Sequence, residues 1–177
     1  MIPLHLSELA QAVNGKLIGE DTVIHHISTD SRHLKNGDVF LALRGANFDG
    51  HKFVHQAQEL GCAAVIVEHQ SDASIAQIVV EDTHKALGLA GAYVKAKVAP
   101  KTVGITGSSG KTTVKEMVAA ILARLGKVLF TAGNFNNDIG VPLTLLRFST
   151  VTRLWFVIET TDRGRTKFGR YACRLKI

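Results

Sequence analysis

The chain has 177 residues, a hydrophobic fraction of 46% and three prolines, which suits one ordinary domain or two small ones and excludes wholesale disorder. No run approaches the roughly 18 apolar residues of a membrane span, Met1 to Glu8 lacks the basic start and apolar stretch of a signal peptide, and Cys62 and Cys173 are too few for a disulfide framework and lack metal-ligand spacing; the expected compartment is the cytoplasm. The formal net charge of +6 sits at one end: Thr160 to Ile177 holds six Lys/Arg against one acid, and the rest holds 15 basic and 14 acidic residues, a distribution that argues against a nucleic-acid binder and leaves a solvated basic tail.

In chain order, Ser7 is placed to cap a short helix, Glu8 to Val13, that Asn14-Gly15 stops. Val39 to Leu43 is an apolar run between Gly37-Asp38 and Gly45 and predicts a strand. Phe53, Ala57 and Leu60 recur at helical spacing with Gly61 at the position that follows a helix end. Cys62 to Val67 and Ile75 to Val80 predict strands, and Asp82 or Thr83 caps a helix running to about Lys97. Pro100 ends that helix, so Ala99-Pro100-Lys101 is the expected domain boundary.

A second α/β pattern begins there. Val103 to Thr106 predicts a strand, Gly107 to Gly110 a loop and Thr112 to Leu125 a helix, with Val114, Met117, Val118, Ile121, Leu122 and Leu125 as an apolar stripe and Gly126 as terminator. Val128 to Thr131 and Leu154 to Glu159 predict two further strands, which makes a βαβ unit of a parallel sheet.

The most informative segment is Thr106-Gly107-Ser108-Ser109-Gly110-Lys111-Thr112-Thr113. Glycines let successive backbone N–H groups turn toward phosphate oxygens, and the helix that follows adds its positive end. In this reading Lys111 neutralises the terminal phosphates of ATP and the Thr112 hydroxyl holds Mg²⁺. The strict motif puts a glycine where Ile105 stands, and the chain offers Gly104 and Gly107 instead. The strand before the loop and the amphipathic helix after it supply the context such a motif needs. The other reading is a tight Gly-Ser turn with a surface lysine.

In this short form the loop resembles that of the Mur ligases and of the related folylpolyglutamate synthetases. Thr29-Asp30-Ser31-Arg32, Gly37-Asp38-Val39-Phe40 and Gly45 to His51 are similar to the N-terminal domain with which Mur ligases of two branches, those adding the third residue and those adding the terminal dipeptide, hold a UDP-linked muramyl peptide. Folylpolyglutamate synthetases lack that domain. Gly107 to Met117 and Gly133 to Pro142, with Asn136-Asn137 before Gly140-Val141-Pro142, resemble the dipeptide-adding branch; the third-residue branch carries a Thr-Asn pair where Ser108-Ser109 stands. The likeness covers about Met1 to Phe148.

The resemblance implies an α/β fold: a small sugar-nucleotide-binding domain over residues 1–99, then the first part of a P-loop parallel-sheet ATPase domain over 100–159. It implies that ATP phosphorylates the terminal carboxylate of UDP-N-acetylmuramoyl-tripeptide and that the amine of D-alanyl-D-alanine attacks the acyl phosphate. Gly107, Ser108, Ser109, Gly110, Lys111, Thr112 and Thr113 would bind nucleotide, Thr112 and Glu159 would bind Mg²⁺, and Lys111, Asn136 and Asn137 would serve the reacting groups. Ser31, Arg32, Asp49, Gly50 and His51 are the candidates for the sugar nucleotide. Several of these keep a second reading: Asn136 and Asn137 as turn formers, Arg32 as a partner of Asp30, His51 as a helix cap. The remaining histidines, His25-His26 and His84 among them, have no metal spacing and read as surface residues.

After Glu159 the sequence departs from the family, which continues with Leu-Gly-Ala-Asn-like residues and some 270 more. Residues 160–177 have no apolar period, and the expectation is a truncated or frame-shifted product with an aberrant basic tail, inactive alone and with an incompletely covered sheet. Two other readings stay open: the related third-residue ligase, and a module that binds the UDP-sugar peptide without turning it over.

Overall fold

The structure, a computed structural model, describes residues 1–45, 48–105, 107–131, 137–149 and 154–159, with Leu154 and Glu159 described by their backbone alone; the expected tail, 160–177, lies outside them. The elements are β1 (Leu4–His5), α1 (Leu6–Ala12), β2 (Lys16–Ile18), β3 (Val23–Ile24), β4 (Ile27–Ser28), β5 (Val39–Leu41), α2 (Val54–Glu59), β6 (Ala64–Val67), β7 (Ala76–Val79), α3 (Thr83–Val98), β8 (Lys101–Ile105), α4 (Lys111–Leu122), β9 (Lys127–Phe130), α5 (Gly140–Leu145) and β10 (Leu154–Glu159), with 3-10 turns at Ser31–His33 and Gly50–Phe53. The class is mixed α/β with parallel sheets, as expected. Two compact units, Met1–Ala90 and Gly91–Ile177, divide the chain, and the division falls within α3.

The first unit is built on a five-stranded sheet in the order β2-β7-β6-β5-β4, beside a two-stranded antiparallel pair, β1-β3. β4, β5, β6 and β7 run parallel, and only β2 is antiparallel, on β7. β6 is buried at every position, Ala64-Val65-Ile66-Val67, the continuous apolar run that a strand covered on both faces requires. One side chain set joins Phe40, Ala42, Val54, Ala57, Val65 and Val67 into a core. β6 reaches β7 through a short connection that Gln77 braces: its Nε2 donates to the carbonyls of Ser71 (2.9 Å) and Ala73 (3.1 Å), and its Oε1 accepts the Ser71 N–H at 2.9 Å. This buried amide takes the place of the crossover helix that usually fixes such a loop.

Local signals were partly rerouted by tertiary contacts. Ser7 does not cap α1; the helix starts two residues earlier, at Leu6, and Asp21 accepts both the Ser7 N–H (2.9 Å) and its hydroxyl (2.6 Å). A carboxylate from a later loop thus does the work of a local cap. Asn14 takes the left-handed conformation (φ 55°), so it supplies the turn expected of Asn14-Gly15. Asp82 caps α3 as expected, its Oδ1 accepting from the Lys85 N–H at 2.9 Å, and Gly61 has φ 75° after α2. Leu60, expected on the inner face of α2, is exposed.

In the second unit β10 lies between β8 and β9, all three parallel, with Glu159 beside Ile105 and Val157 beside Phe130. The stripe expected to bury α4 is divided. Val114, Met117, Ile121 and Leu125 are exposed, and the inward positions are Lys115, Val118, Ala119 and Leu122, with Lys115 and Ala119 buried. A pattern of six apolar residues spans more of the helix circumference than three strands cover, so only part of it meets the sheet.

Close packing sets one glycine. A Cβ on Gly50 would stand 2.8 Å from the Leu43 carbonyl oxygen and 3.0 Å from Ala42 backbone atoms, and the Gly50 N–H already donates to that oxygen at 2.8 Å. Gly50→Ala is expected to lower stability by about 1–3 kcal/mol through overpacking, read as a lower midpoint in urea unfolding at unchanged m-value.

Candidate functional site

Parallel pairing sends the C-terminal ends of β4, β5 and β6 to one edge, where ligands of open α/β sheets bind. The candidates of the first unit gather there: Asp30 to His33 after β4, Arg44 to Gly50 after β5, and Glu68 to Ser71 after β6. Ala46 and Asn47, in the second of these loops, lie outside the described residues.

Arg32 makes the pairing that its spacing from Asp30 allows. Its Nε and Nη2 donate to the two oxygens of Asp30 at 2.9 and 2.8 Å, and its N–H donates to Oδ1 at 3.0 Å, which caps the 3-10 turn. His33 Nδ1 lies 3.1 Å from the same carboxylate. The Arg32 guanidinium, together with these other donors, holds the Asp30 carboxyl far below the ordinary carboxylate range. Ser31 stands half-buried at the start of the turn.

His51 is tied at both ring nitrogens. The Glu68 N–H donates to Nε2 at 2.9 Å, so the ring proton sits on Nδ1, 2.7 Å from Asp49 Oδ1. Asp49 also accepts the His51 N–H at 3.0 Å, and these bonds hold its pKa below the usual value. The imidazole therefore braces the Asp49-Gly50 turn against the end of β6, and the cap of the 3-10 turn is Asp49 rather than His51. Beside it opens a cleft of about 470 Å³ lined by Arg44, Asp49, His51, Val54, Val67, His69, Gln70 and Ser71. Arg44 and the His69-Gln70-Ser71 stretch were not singled out from the sequence. Their signal was a polar cluster directly after an apolar strand, which reads as a turn until the parallel pairing is known.

In the second unit the loop from β8 to α4 has the backbone the motif requires. Gly107 has φ 152° and Gly110 φ 71°, both favouring glycine, and a Cβ on Gly110 would meet nothing within 4 Å, so conformation rather than space demands glycine there. Ser108 and Ser109 are exposed between them. Lys111 opens α4 and its Nζ donates to the Gly107 carbonyl, curled over the loop. Thr112 and Thr113 occupy the first turn of the helix. Glu159 ends β10 in register with Ile105, the last residue of β8, which brings its backbone to the same edge as the loop. Thr131, directly after β9, has a buried Oγ1 without a hydrogen-bond partner among the described residues. Asn137 has the structural contact foreseen for it: its Oδ1 accepts the Gly140 N–H at 2.6 Å at the start of α5. Asn136 lies outside the described residues, as does the side chain of Glu159.

A glycine-hinged loop with an inturned lysine thus lies between a parallel strand and a helix, and the comparisons with known proteins place the chain in a family. The chain matches the Mur ligase family, catalytic domain, over residues 23–100 and the Mur ligase middle domain over residues 105–176, and it belongs to the Mur ligase family. It is 48% identical over 149 residues to the UDP-N-acetylmuramoyl-tripeptide–D-alanyl-D-alanine ligase of Escherichia coli, with 84% of this chain and 33% of that protein covered. It is also 48% identical over 165 residues to the enzyme of the same name from Haemophilus influenzae, with 90% and 36% covered. Among solved structures it is similar to MurF from Acinetobacter baumannii (TM-score 0.89, 44% identity, 98% of this chain and 39% of that one). MurF ligase from Thermotoga maritima, solved in complex with ADP, matches with a TM-score of 0.73 at 28% identity over 86% of this chain and 35% of that one. The chain spans about a third of the length of the curated relatives. Among the described residues no helix is long and apolar enough to cross a membrane, and no cluster of His, Cys, Asp and Glu could hold a metal.

Two outcomes follow from these bonds. His51→Ala strands the half-buried Glu68 N–H and is expected to cost about 1–3 kcal/mol in equilibrium unfolding. The lowered pKa of Asp30 and Asp49 means that their stabilising contribution is complete above the unfolded carboxylate value of about 3.9 and is lost as pH falls below it. Asp30→Asn and Asp49→Asn should therefore flatten the acid limb of a stability-against-pH curve and leave its slope above pH 5 unchanged.

Proposed function

We propose that the chain carries the sugar-nucleotide-binding part and the phosphate-binding part of an ATP-dependent amide ligase of peptidoglycan precursor synthesis, one that joins D-alanyl-D-alanine to UDP-N-acetylmuramoyl-tripeptide. The observation that carries this reading is the loop Gly107 to Thr113, with its two glycine hinges and Lys111 turned inward, in a chain 48% identical to ligases of that name. In this reading residues 1–99 hold the UDP-linked peptide, with Ser31, Arg32, Asp49, Gly50 and His51 in the loops that flank it. Residues 100–159 hold ATP, in the cytoplasm where the nucleotide is supplied.

The chemistry is two successive displacements. A carboxylate oxygen of the tripeptide attacks the γ-phosphorus of ATP and ADP leaves, giving an acyl phosphate. The dipeptide amine then attacks the acyl carbon, loses its proton, and phosphate leaves as the amide forms. Positioning and charge neutralisation dominate such transfers. The loop N–H groups and the positive end of α4 face the phosphates, and Lys111 exchanges the Gly107 carbonyl for a phosphate oxygen. The donor set suits a hard divalent cation: the Thr112 hydroxyl and the Glu159 carboxylate, both oxygen ligands, would hold Mg²⁺, which supplies further neutralisation of phosphate charge. Asn137 positions the turn before α5 through Gly140, and Asn136 beside it would meet the reacting groups.

Titration calorimetry of the folded chain tests the reading. UDP-N-acetylmuramoyl-tripeptide should bind, ADP with Mg²⁺ should bind, and Lys111→Ala should weaken only the nucleotide, by about tenfold or more for a lost charge-assisted contact. Nucleotide binding unaffected by Lys111→Ala contradicts the assignment.

A further inference from the structure

We propose that Arg44, in the cleft at the ends of β5 and β6, is the residue that grips the diphosphate of the sugar nucleotide. This inference rests on the proposed function and moves the anion contact away from Arg32, the arginine the sequence suggests. The reason is the difference between the two guanidinium groups. Arg32 gives Nε and Nη2 to both oxygens of Asp30 at 2.9 and 2.8 Å, so the fork that would clasp a diphosphate already clasps a carboxylate. Among the described residues the Arg44 guanidinium has only a 4.0 Å approach of Nη1 to Glu68 Oε2, beyond hydrogen-bond length. The guanidinium is thus held near the cleft without being committed.

The neighbouring groups fit this role. Glu68 is engaged through its other oxygen, which accepts the N–H and hydroxyl of buried Thr83 at 3.2 Å each. Asp49, the second carboxylate facing Arg44, is occupied by the N–H and ring of His51. Both acids are satisfied by donors other than Arg44, which lowers the cost of turning its charge toward a ligand. The Arg44 backbone is fixed from both sides: its carbonyl lies 2.9 Å from His84 Nε2, and it bridges Asp49 in an antiparallel contact. His69 and Ser71 also line the cleft; the N–H and hydroxyl of Ser71 both donate to Gln77 Oε1, and His69 adds a second nitrogen for phosphate oxygens. A rigid backbone carrying a loosely held guanidinium at the C-terminal edge of parallel strands is a site for an anion.

The test uses the intact chain with UDP alone and with UDP-N-acetylmuramoyl-tripeptide, comparing Arg44→Gln, Arg44→Lys and Arg32→Gln by calorimetry. Arg44 is 59% exposed at its side chain, so these changes leave the fold in place, which circular dichroism checks. Arg44→Gln should weaken UDP by about tenfold or more, the scale of a lost charge-assisted pair, Arg44→Lys by less, and Arg32→Gln by less than Arg44→Gln. The salt dependence of UDP affinity should also diminish in Arg44→Gln. An Arg44 effect seen only with the tripeptide-bearing ligand would place a peptide carboxylate on Arg44, and the diphosphate assignment falls. Affinity lost on Arg32→Gln and kept on Arg44→Gln overturns the inference and leaves the proposed function standing. Failure of both ligands to bind the folded wild-type chain overturns the two together.

Discussion

Parallel strand pairing is the constraint on which the rest depends. Strands that run the same way must end on the same side, so every loop that leaves a C-terminal end is delivered to one edge of its sheet. In the first unit this collects the residues after β4, β5 and β6; in the second it sets the loop after β8, the end of β10 and Thr131 after β9 along one edge. The buried runs of β6 and the paired β8 and β10 exist to maintain that pairing, and the polar residues are what the edge presents. A site made this way needs little sequence of its own: a few residues per loop suffice, because the strands set their spacing.

Within each loop a second principle operates: charged groups are used to hold the backbone before any ligand is met. Asp30 binds its own turn and Arg32, Asp49 binds its own turn and His51, and Asp21 reaches across to start α1. Such contacts cost the loop its most obvious ligand groups but fix the direction of the rest. This is why the residues that stand out in the sequence for their chemistry, Arg32 and His51, are occupied, whereas among the described residues the less conspicuous Arg44 makes only a 4.0 Å approach to Glu68.

Much of this architecture was legible in the sequence. The strands β5 to β10 announce themselves as apolar runs between turn residues, and the loop before α4 by its glycines, lysine and helix; Gly107 and Gly110 take the positive φ that a glycine-hinged turn there requires. The short β1, β2, β3 and β4, of two or three residues each, carry too little periodicity to be seen. The role of Ser7 is not legible locally because its acceptor, Asp21, is 14 residues away. The α4 periodicity gives the width of an apolar face but not how much of it a sheet covers, and Lys115, buried inside that helix, has no signal at all. Gln77 and Glu68 are in the same position: their roles come from partners 6 and 15 residues distant.

The central claim is that both strand-end edges are ligand sites, one for a nucleotide and one for a UDP-linked peptide. Amide-resolved NMR titration of the isotopically labelled chain addresses it directly. Adding ADP with Mg²⁺ should shift the amides of Gly107 to Thr113, and adding UDP-N-acetylmuramoyl-tripeptide should shift those of Ser31, Arg44, Gly50 and His69 to Ser71, with the interior of β6 unmoved. Shifts confined to other surfaces, or none from a well-dispersed spectrum of the folded chain, would contradict the account.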